Sequence, residues 1–508
     1  GDLTFCSDFD NGNLKAVEES GRSGYDFQLW TASDNCGTQH ESNHSSWFHF
    51  SVTGLPKNAT IKFRMMNTKK HGGLYRSDMR PVFRCNATQN KWMRIKKSVR
   101  TDEDGRQAFE HTADLEGDVV YFSFTYPYSY ATLQSELASI EAAHTNTLDA
   151  PGSIYFNREL IACSIEQRRI DLLTITAAGG HSEQQEEVMP GLFPAHGIGD
   201  AACPGQALGA AGRPLTFPGR EVIIVSARVH PGEVPAQHTM RGILDLLLDP
   251  HDPRSRALRE RFVFKIVPML NPDGVFRGHF RMDQLGQNLN RYYTNPDKLK
   301  QPSIFALRRL IDLYAGDASL AMYLDLHAHA SKKGCFIYGN VVDTLEDQVQ
   351  NQLYCRLIAL NTPHFDYEGC LFSRDHMART DPGDGMTAEG SSRVCTYLTH
   401  RLVHSYTLEC NYNTGRIGNE VVPPEGELGA SSLNPAHRSC EFTTSPEKYT
   451  PMSWQNVGQA CLIAMLDIRG QNPCSRIPKT KFRTLDRIRM LAVTDVRQLS
   501  EFRGCPVP

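Results

Sequence analysis

The sequence predicts an α/β domain built on a mixed sheet with helices on both faces, preceded by a β-sandwich. Three observations predict it. Short aromatic-rich runs, broken by Gly, Asn and Asp, fill residues 1–150. Compact β-branched runs then alternate with segments of helical period. Several of those later runs end in polar residues of metal-ligating or carboxylate-binding type.

In the first region, "SWFHFSVTGL", "TIKFRMMNT", "RPVFRC" and "DVVYFSFTYPY" alternate as half-buried strands do, with the turn residues of an antiparallel sandwich between them. "SYATLQSELASIEAAH" (129–144) has helical spacing and is expected to bridge to the next domain. Within residues 151–470, "IDLLTITA", "EVIIVSARV", "RFVFKIVPML", "LAMYLDLHA" and "RLVHSYTLE" read as buried strands. "AQHTMRGILDLLL" and "SIFALRRLIDLYAG" read as helices between them. That alternation requires a largely parallel or mixed sheet with both faces covered. Residues 181–220, rich in Gly, Ala and Pro, are expected to form a long surface loop, and 450–468 a closing helix. The basic tail 471–508 is weakly periodic and is expected to be a poorly packed or partner-binding end.

At 508 residues the chain can bury a large core. Lys and Arg number 54 against 57 Asp and Glu, so the overall field does not point to nucleic acid. Any grip on a charged substrate must come from a local cluster. No apolar run reaches the ~18–20 residues of a membrane span, and no secretory leader is visible. Fourteen scattered cysteines without a CxxC pair read as the reduced thiols of a cytosolic protein. The sequons at Asn43, Asn58 and Asn86 weigh little against this, because such triplets arise by chance.

The chemistry gathers at four strand ends. His230 and Glu233 follow one strand in "HPGE", "NPDG" (271–274) follows another, "DLHAH" (325–329) closes a third, and Glu409 a fourth. Ligands of open α/β sheets bind beyond the carboxyl ends of the strands, so these ends can converge. An HxxE pair on a Pro-Gly turn can chelate from one loop. Hydrolytic zinc often takes two His and one Glu and keeps a fourth position for water. Alone, HxxE is more often a solvated turn. "HFRMDQLGQNLNRYY" (279–293) adds Arg281, Asn290 and Arg291. Arginine grips carboxylates through a planar fork and stabilises oxyanions.

In this order (HxxE, Arg, NR, His, Glu) the elements resemble the M14 zinc carboxypeptidases. "RVHPGE", "PMLNPDGV", "RGHFR", "NLNR", "DLHAHASKKGCFIYGN", "EGSSR" and "HSYTLECNYNTGR" are most similar to the cytosolic members, which process tubulin tails. "YPYSY" (126–130) is similar to that group's N-terminal domain. Together these motifs span residues 1 to about 468.

The resemblance implies a zinc-carboxypeptidase-like fold and a Zn2+ ion held by His230, Glu233 and His327. His329 competes for the third place, but the family's ligand directly follows "DL". Glu409 would be the general base, taking a proton from the attacking water and passing it to the leaving amine. Arg281 would stabilise the oxyanion, and Asn290 and Arg291 would grip the terminal α-carboxylate, making the enzyme an exopeptidase. Arg393 in "EGSSR" would read an acidic terminal side chain, and Arg416 in "NTGR" would contact substrate. Lys332 and Lys333 either extend a basic rim or are ordinary surface charge. The implied reaction is removal of C-terminal or branch-point glutamate from the glutamylated tails of α- and β-tubulin, and from other glutamylated proteins. The most similar type cuts the branch-point isopeptide bond; shortening of linear glutamate chains is the alternative. The implied protein is a monomer without nucleic-acid or membrane partners, acting in the cytoplasm, at microtubules or cilia and in the nucleus.

Three positions depart from the family pattern. Asn288 stands where the wider family has an aspartate that orients the first zinc histidine, which makes His230 a weaker donor. Ala328 replaces a common glycine. The tyrosine that caps substrate in digestive members has only Tyr397 as a stand-in. Two other functions compete: a silent module binding acidic tails, and a zinc amidohydrolase of small acylated amino acids. Retention of His230, Glu233, His327 and Glu409 argues against the first, and the N-terminal sandwich against the second.

Overall fold

The computed structural model describes residues 3–20, 24–68, 72–87, 91–144, 153–194, 212–381, 385–416, 418–424 and 447–503. The aromatic runs form two five-stranded sheets. One has the order β1 (Thr4–Cys6), β4 (His49–Thr53), β10 (Val120–Ser123), β6 (Val82–Cys85), β7 (Met93–Arg94). The other runs β2 (Ala16–Glu19), β3 (Asp26–Trp30), β5 (Thr60–Met65), β9 (Gln107–Thr112), β8 (Arg100–Thr101). Phe50 and Phe122 of the first sheet meet Phe63 of the second with ring centroids 5.4 and 4.9 Å apart, so the inner faces interlock through aromatic edges. The pairing is antiparallel except between β3 and β5, which run parallel. The antiparallel sandwich expected from the sequence is present, with that one pair as its exception. The chain crosses to the other sheet as β4 between those two strands, so it re-enters in the same direction.

The helix Tyr130–His144 follows, with Tyr130, Leu133 and Leu137 buried. The second region is a seven-stranded mixed sheet in the order β11 (Ile154–Cys163), β12 (Arg169–Ala177), β14 (Phe262–Val267), β13 (Glu221–Ala227), β15 (Leu320–His329), β17 (Ser405–Asn411), β16 (Cys335–Tyr338). The central strands β14, β13, β15 and β17 are parallel, and antiparallel strands close both edges. The central strands are buried along almost their whole length, as parallel strands with both faces covered must be. The helices Val234–Leu247 and Pro451–Ile468 cover one face together, and Pro302–Gly316 lies against the sheet near β11 and β15. Among the described residues no helix is long and apolar enough to cross a membrane, and the cysteines are free.

One expectation about these segments is corrected. The tail carries a helix, Leu485–Val496, packed on the helix Leu345–Asn361. Its Ile488, Ala492, Val493 and Val496 are buried, and Asp495 accepts from Arg356 Nε and Tyr367 Oη, both at 2.6 Å. The charged residues between the apolar positions hide this stripe in the sequence. The described ends of the 181–220 segment run as loop, as expected, and are tied to the sheet where the fully buried Lys265 Nζ donates to both Glu186 carboxylate oxygens, at 2.6 and 2.7 Å. Residues 195–211, the centre of that expected loop, and 504–508 lie outside the described residues.

Asp283 sits in the loop that joins the sheet to the sandwich. It is 2 % exposed, and its Oδ1 accepts the amides of Leu285 and Gln287. Burial pushes its carboxyl up to about 7, against the pull of those amides. A folded value above the unfolded one, 3.8, means that stability is lost as pH rises from about 4 to 7. Asp283→Asn is therefore expected to be about 2–4 kcal/mol more stable than wild type at pH 8, with the gain shrinking toward zero near pH 4. Denaturant unfolding at the two pH values measures it.

Candidate active site

Register brings the four strand ends together. β13 and β15 lie side by side, so the turn after β13 and the end of β15 project at the same edge. In the β15–β17 ladder His327 is the direct partner of Glu409. The turn itself is built tightly. A Cβ on Gly232 would sit 2.5 Å from the Phe280 ring and 2.8 Å from its carbonyl oxygen, so only glycine allows that approach. Arg228 takes left-handed backbone (φ 59°), an uncommon choice for a bulky residue. Its buried guanidinium donates to Pro231 O at 2.8 Å and to Tyr128 O at 3.2 Å. The "YPYSY" segment thus braces the turn that carries His230 and Glu233.

His230, Glu233 and His327 are all buried, with ligand atoms within 4.8 Å of one another. His230 Nδ1 lies 2.8 Å from Glu233 Oε1, and His327 Nδ1 lies 3.0 Å from Oε2. Each imidazole is oriented from behind: His230 Nε2 faces Asn288 Oδ1 at 2.9 Å, and His327 Nε2 faces Asp325 Oδ2 at 2.8 Å. With both Nε2–H groups given to those acceptors, both Nδ1 lone pairs converge on the carboxylate, which is the donor set hydrolytic zinc takes. Burial opposes charge on His327, but Asp325 and Glu233 outweigh it and hold its pKa well above the usual value. Glu409 Oε2 is buried without a hydrogen-bond partner, and burial pushes its carboxyl up to about 8, opposed first by His327. A lone acceptor facing a cation site is what a proton carrier beside a metal requires.

A cleft of about 850 Å3 surrounds this cluster and is lined by Arg281, Asn290, Arg291, Arg379 and Arg393 among others. Arg281 Nη1 stands 3.9 Å from Glu233 Oε1. Asn290 Oδ1 accepts the Ser392 amide at 3.1 Å. Arg291 Nη2 and Arg281 Nη2 both reach Asp381 Oδ2, at 3.1 and 3.4 Å. Arg393 is 3 % exposed, and its Nη1 donates to the neutral acceptors Gly339 O and Asn340 Oδ1. Burial lowers its pKa to about 10.

Other expected residues fall elsewhere. Arg416 does not line the cleft: Asp366 binds it in bidentate fashion, 2.6 Å at both Nε and Nη2. Lys332 Nζ donates to Gly369 O and lies over the Phe336 ring, and Lys333 is exposed. His329 is outside the metal group; its Nδ1 accepts the Lys332 amide and its Nε2 faces Tyr338 Oη. Tyr397 is buried against Arg401, away from the cleft, whereas Tyr338 and Tyr412 line it.

Residues 156–429 match the family model described as zinc carboxypeptidase, and residues 5–125 the cytosolic carboxypeptidase N-terminal domain. The chain belongs to the zinc carboxypeptidases, in their cytosolic branch. It is 33% identical to cytosolic carboxypeptidase-like protein 5 of Rattus norvegicus, over 98% of this chain and 71% of that one. The Danio rerio protein of that name is 34% identical over 98% and 68%, and cytosolic carboxypeptidase 6 of Mus musculus 30% over 82% and 68%. The metallo-carboxypeptidase of Burkholderia cenocepacia shares the fold, with a TM-score of 0.64 at 19% identity over 92% of this chain and 99% of that one. So does the Pseudomonas aeruginosa metallo-carboxypeptidase in complex with (2-guanidinoethylmercapto)succinic acid, at 0.63 and 20% over 91% and 98%. The protein is a metallopeptidase whose cofactor is zinc.

Two residues beside this carboxypeptidase's cluster, Asp325 and Asp381, have a place to which the sequence motifs assign no role. Asp325 is fully buried, and Ser226 Oγ and Ser392 Oγ donate to its two oxygens at 2.7 and 2.6 Å. Its signal was available: residues i and i+2 of a strand share a face, so the aspartate of "DLH" must point with His327. The carboxylate missing behind His230 thus stands behind His327. Asp325→Asn is expected to weaken zinc binding about 10- to 100-fold, measured by chelator competition. Asp381 had no signal, because only tertiary folding brings it to the two arginines.

Proposed function

We propose that this enzyme is a protein deglutamylase, acting on the acidic C-terminal tails of glutamylated tubulin and of similarly modified proteins. The single observation that carries the reading is the cleft itself, where Arg281, Arg291, Arg379 and the buried Arg393 surround a His–Glu–His cluster. Arg393 supports selection of an acidic terminal residue. Its charge is buried among neutral acceptors, so a substrate carboxylate supplies the counter-charge that burial demands.

His230, Glu233 and His327 would hold the zinc. Bound there, the metal supplies a Lewis acid that polarises the scissile carbonyl and makes water acidic enough to attack at neutral pH. Glu409 accepts the proton of the attacking water at Oε2 and hands it to the leaving amine. Arg281 meets the negative charge that develops on the carbonyl oxygen. Asn290 and Arg291 hold the substrate's α-carboxylate, which limits cleavage to a terminal residue. Asp381 occupies the same two guanidinium groups and is exchanged for that carboxylate when substrate binds. Arg416 is left out of the substrate set, since Asp366 already neutralises it.

The preferred bond is the branch-point isopeptide, the specificity that the sequence resemblance implies, and the place of action is the cytoplasm, at microtubules or cilia, and the nucleus. The test is mass spectrometry of products from matched tubulin-tail peptides, one carrying a single γ-linked branch glutamate and one a linear glutamate chain. Release of the branch glutamate is expected. Shortening of the linear chain alone would replace the branch-point reading, and release of glutamate from neither would remove the deglutamylase reading.

A further inference from the structure

Arg281 lies on a segment that leaves the sheet domain and runs along the sandwich. Asn11 N donates to Phe276 O at 2.9 Å, Asn11 Nδ2 to Val275 O at 2.8 Å, and Asn13 Nδ2 to Gly278 O at 2.9 Å. Gly278 is left-handed (φ +67°), and a Cβ there would lie 2.4 Å from Gly12 O, so the two chains touch backbone to backbone. Further along, Asn35 N donates to His279 Nε2 at 3.3 Å and Asn35 Nδ2 to Asp283 O at 2.7 Å.

Between these ties sits Asp34, just beyond β3 and 1 % exposed. Its Oδ1 accepts the amide of Phe280 at 2.6 Å, and its Oδ2 accepts those of Arg281 and Met282, both at 2.8 Å. Three consecutive amides on one carboxylate fix the backbone of residues 280–282. The Arg281 guanidinium is thereby held toward Glu233 Oε1 and the cleft. The sandwich also supplies part of the cleft wall, through residues 40–44.

We infer that Asp34 is a positioning residue for Arg281, and that the N-terminal sandwich is through it a working part of the active site. The inference rests on the role proposed above for Arg281. An oxyanion donor stabilises charge well only if its position is set before the reaction, so loosening its backbone should slow turnover more than it weakens binding. Nothing in the N-terminal sequence announces this, because a single aspartate after a strand reads as an ordinary turn residue.

The test is a double-mutant cycle on the full chain with zinc, using Asp34→Asn, Arg281→Ala and the pair. It reads kcat and KM on a glutamate-ending peptide, with zinc content and Tm alongside. Asp34→Asn is expected to lower kcat about 10- to 100-fold with KM changed less than about threefold and zinc content unchanged. In the Arg281→Ala background the same change should cost less than about twofold, because its effect passes through Arg281. If Arg281→Ala turns over at the wild-type rate, the role of Arg281 falls and this inference with it. If Arg281→Ala is slow but Asp34→Asn lowers kcat by one factor in both backgrounds, or leaves kcat unchanged, only the anchor is overturned. Should Asp34→Asn not accumulate folded, Asp34→Glu, which keeps the charge and shifts the acceptor atoms by one methylene, takes its place with the same reading.

Discussion

Glu409→Gln is expected to retain zinc and fold while turnover falls by about 10²–10⁴-fold, or roughly 3–5 kcal/mol of barrier. The amide has the shape of the acid but cannot accept the proton of the attacking water. The metal ligands are untouched, because the cluster consists of His230, Glu233 and His327 without Glu409. Stability provides the internal control. Glu409 Oε2 is buried with no hydrogen-bond partner, so replacing it by a neutral group removes a desolvated acceptor rather than a structural bond. Tm should therefore hold or rise as activity falls. Glutamate release at the wild-type rate with zinc in place would strip Glu409 of its role as base.

Arg393→Leu is expected to change which terminal residue is removed. In the wild type a buried guanidinium lines the cleft and donates to the neutral acceptors Gly339 O and Asn340 Oδ1; under the function proposed above, a substrate carboxylate meets its charge. Removing one partner of such a buried, charged contact costs about 2–5 kcal/mol, or roughly 30- to 5,000-fold in kcat/KM for a glutamate-ending peptide. A leucine-ending peptide should lose little or gain, since the leucine side chain adds apolar lining where a charge stood. The ratio of the two kcat/KM values is the readout. An unchanged ratio would move Arg393 from the specificity site to a structural role on the helix Ser392–His400.

The mixed sheet and the chemistry at its edge were legible because both obey short-range rules. A strand buried on both faces is a continuous apolar run, and a polar side chain near its carboxyl end interrupts that run, as His327 and Glu409 do. The HPGE turn was legible because Pro-Gly permits one local geometry. The parallel β3–β5 pair was not, since the direction in which a strand returns depends on where the chain goes between. The tail helix was hidden because its four charged residues, Asp486, Arg487, Arg489 and Asp495, dilute the apolar stripe of Ile488, Ala492, Val493 and Val496.

Residue types and order alone pointed to candidate zinc ligands, a candidate base and an arginine set, because ligand chemistry depends on which atoms a side chain carries. Which of those groups meet depended on the tertiary fold. Arg416 was withdrawn by Asp366, fifty positions away in the chain. Asp381 was brought to Arg281 and Arg291, and Asp34 reached across from the sandwich to three amides of the Arg281 segment. Charge pairing and amide capture act over about 3 Å in space whatever the separation along the chain, so no local pattern encodes them.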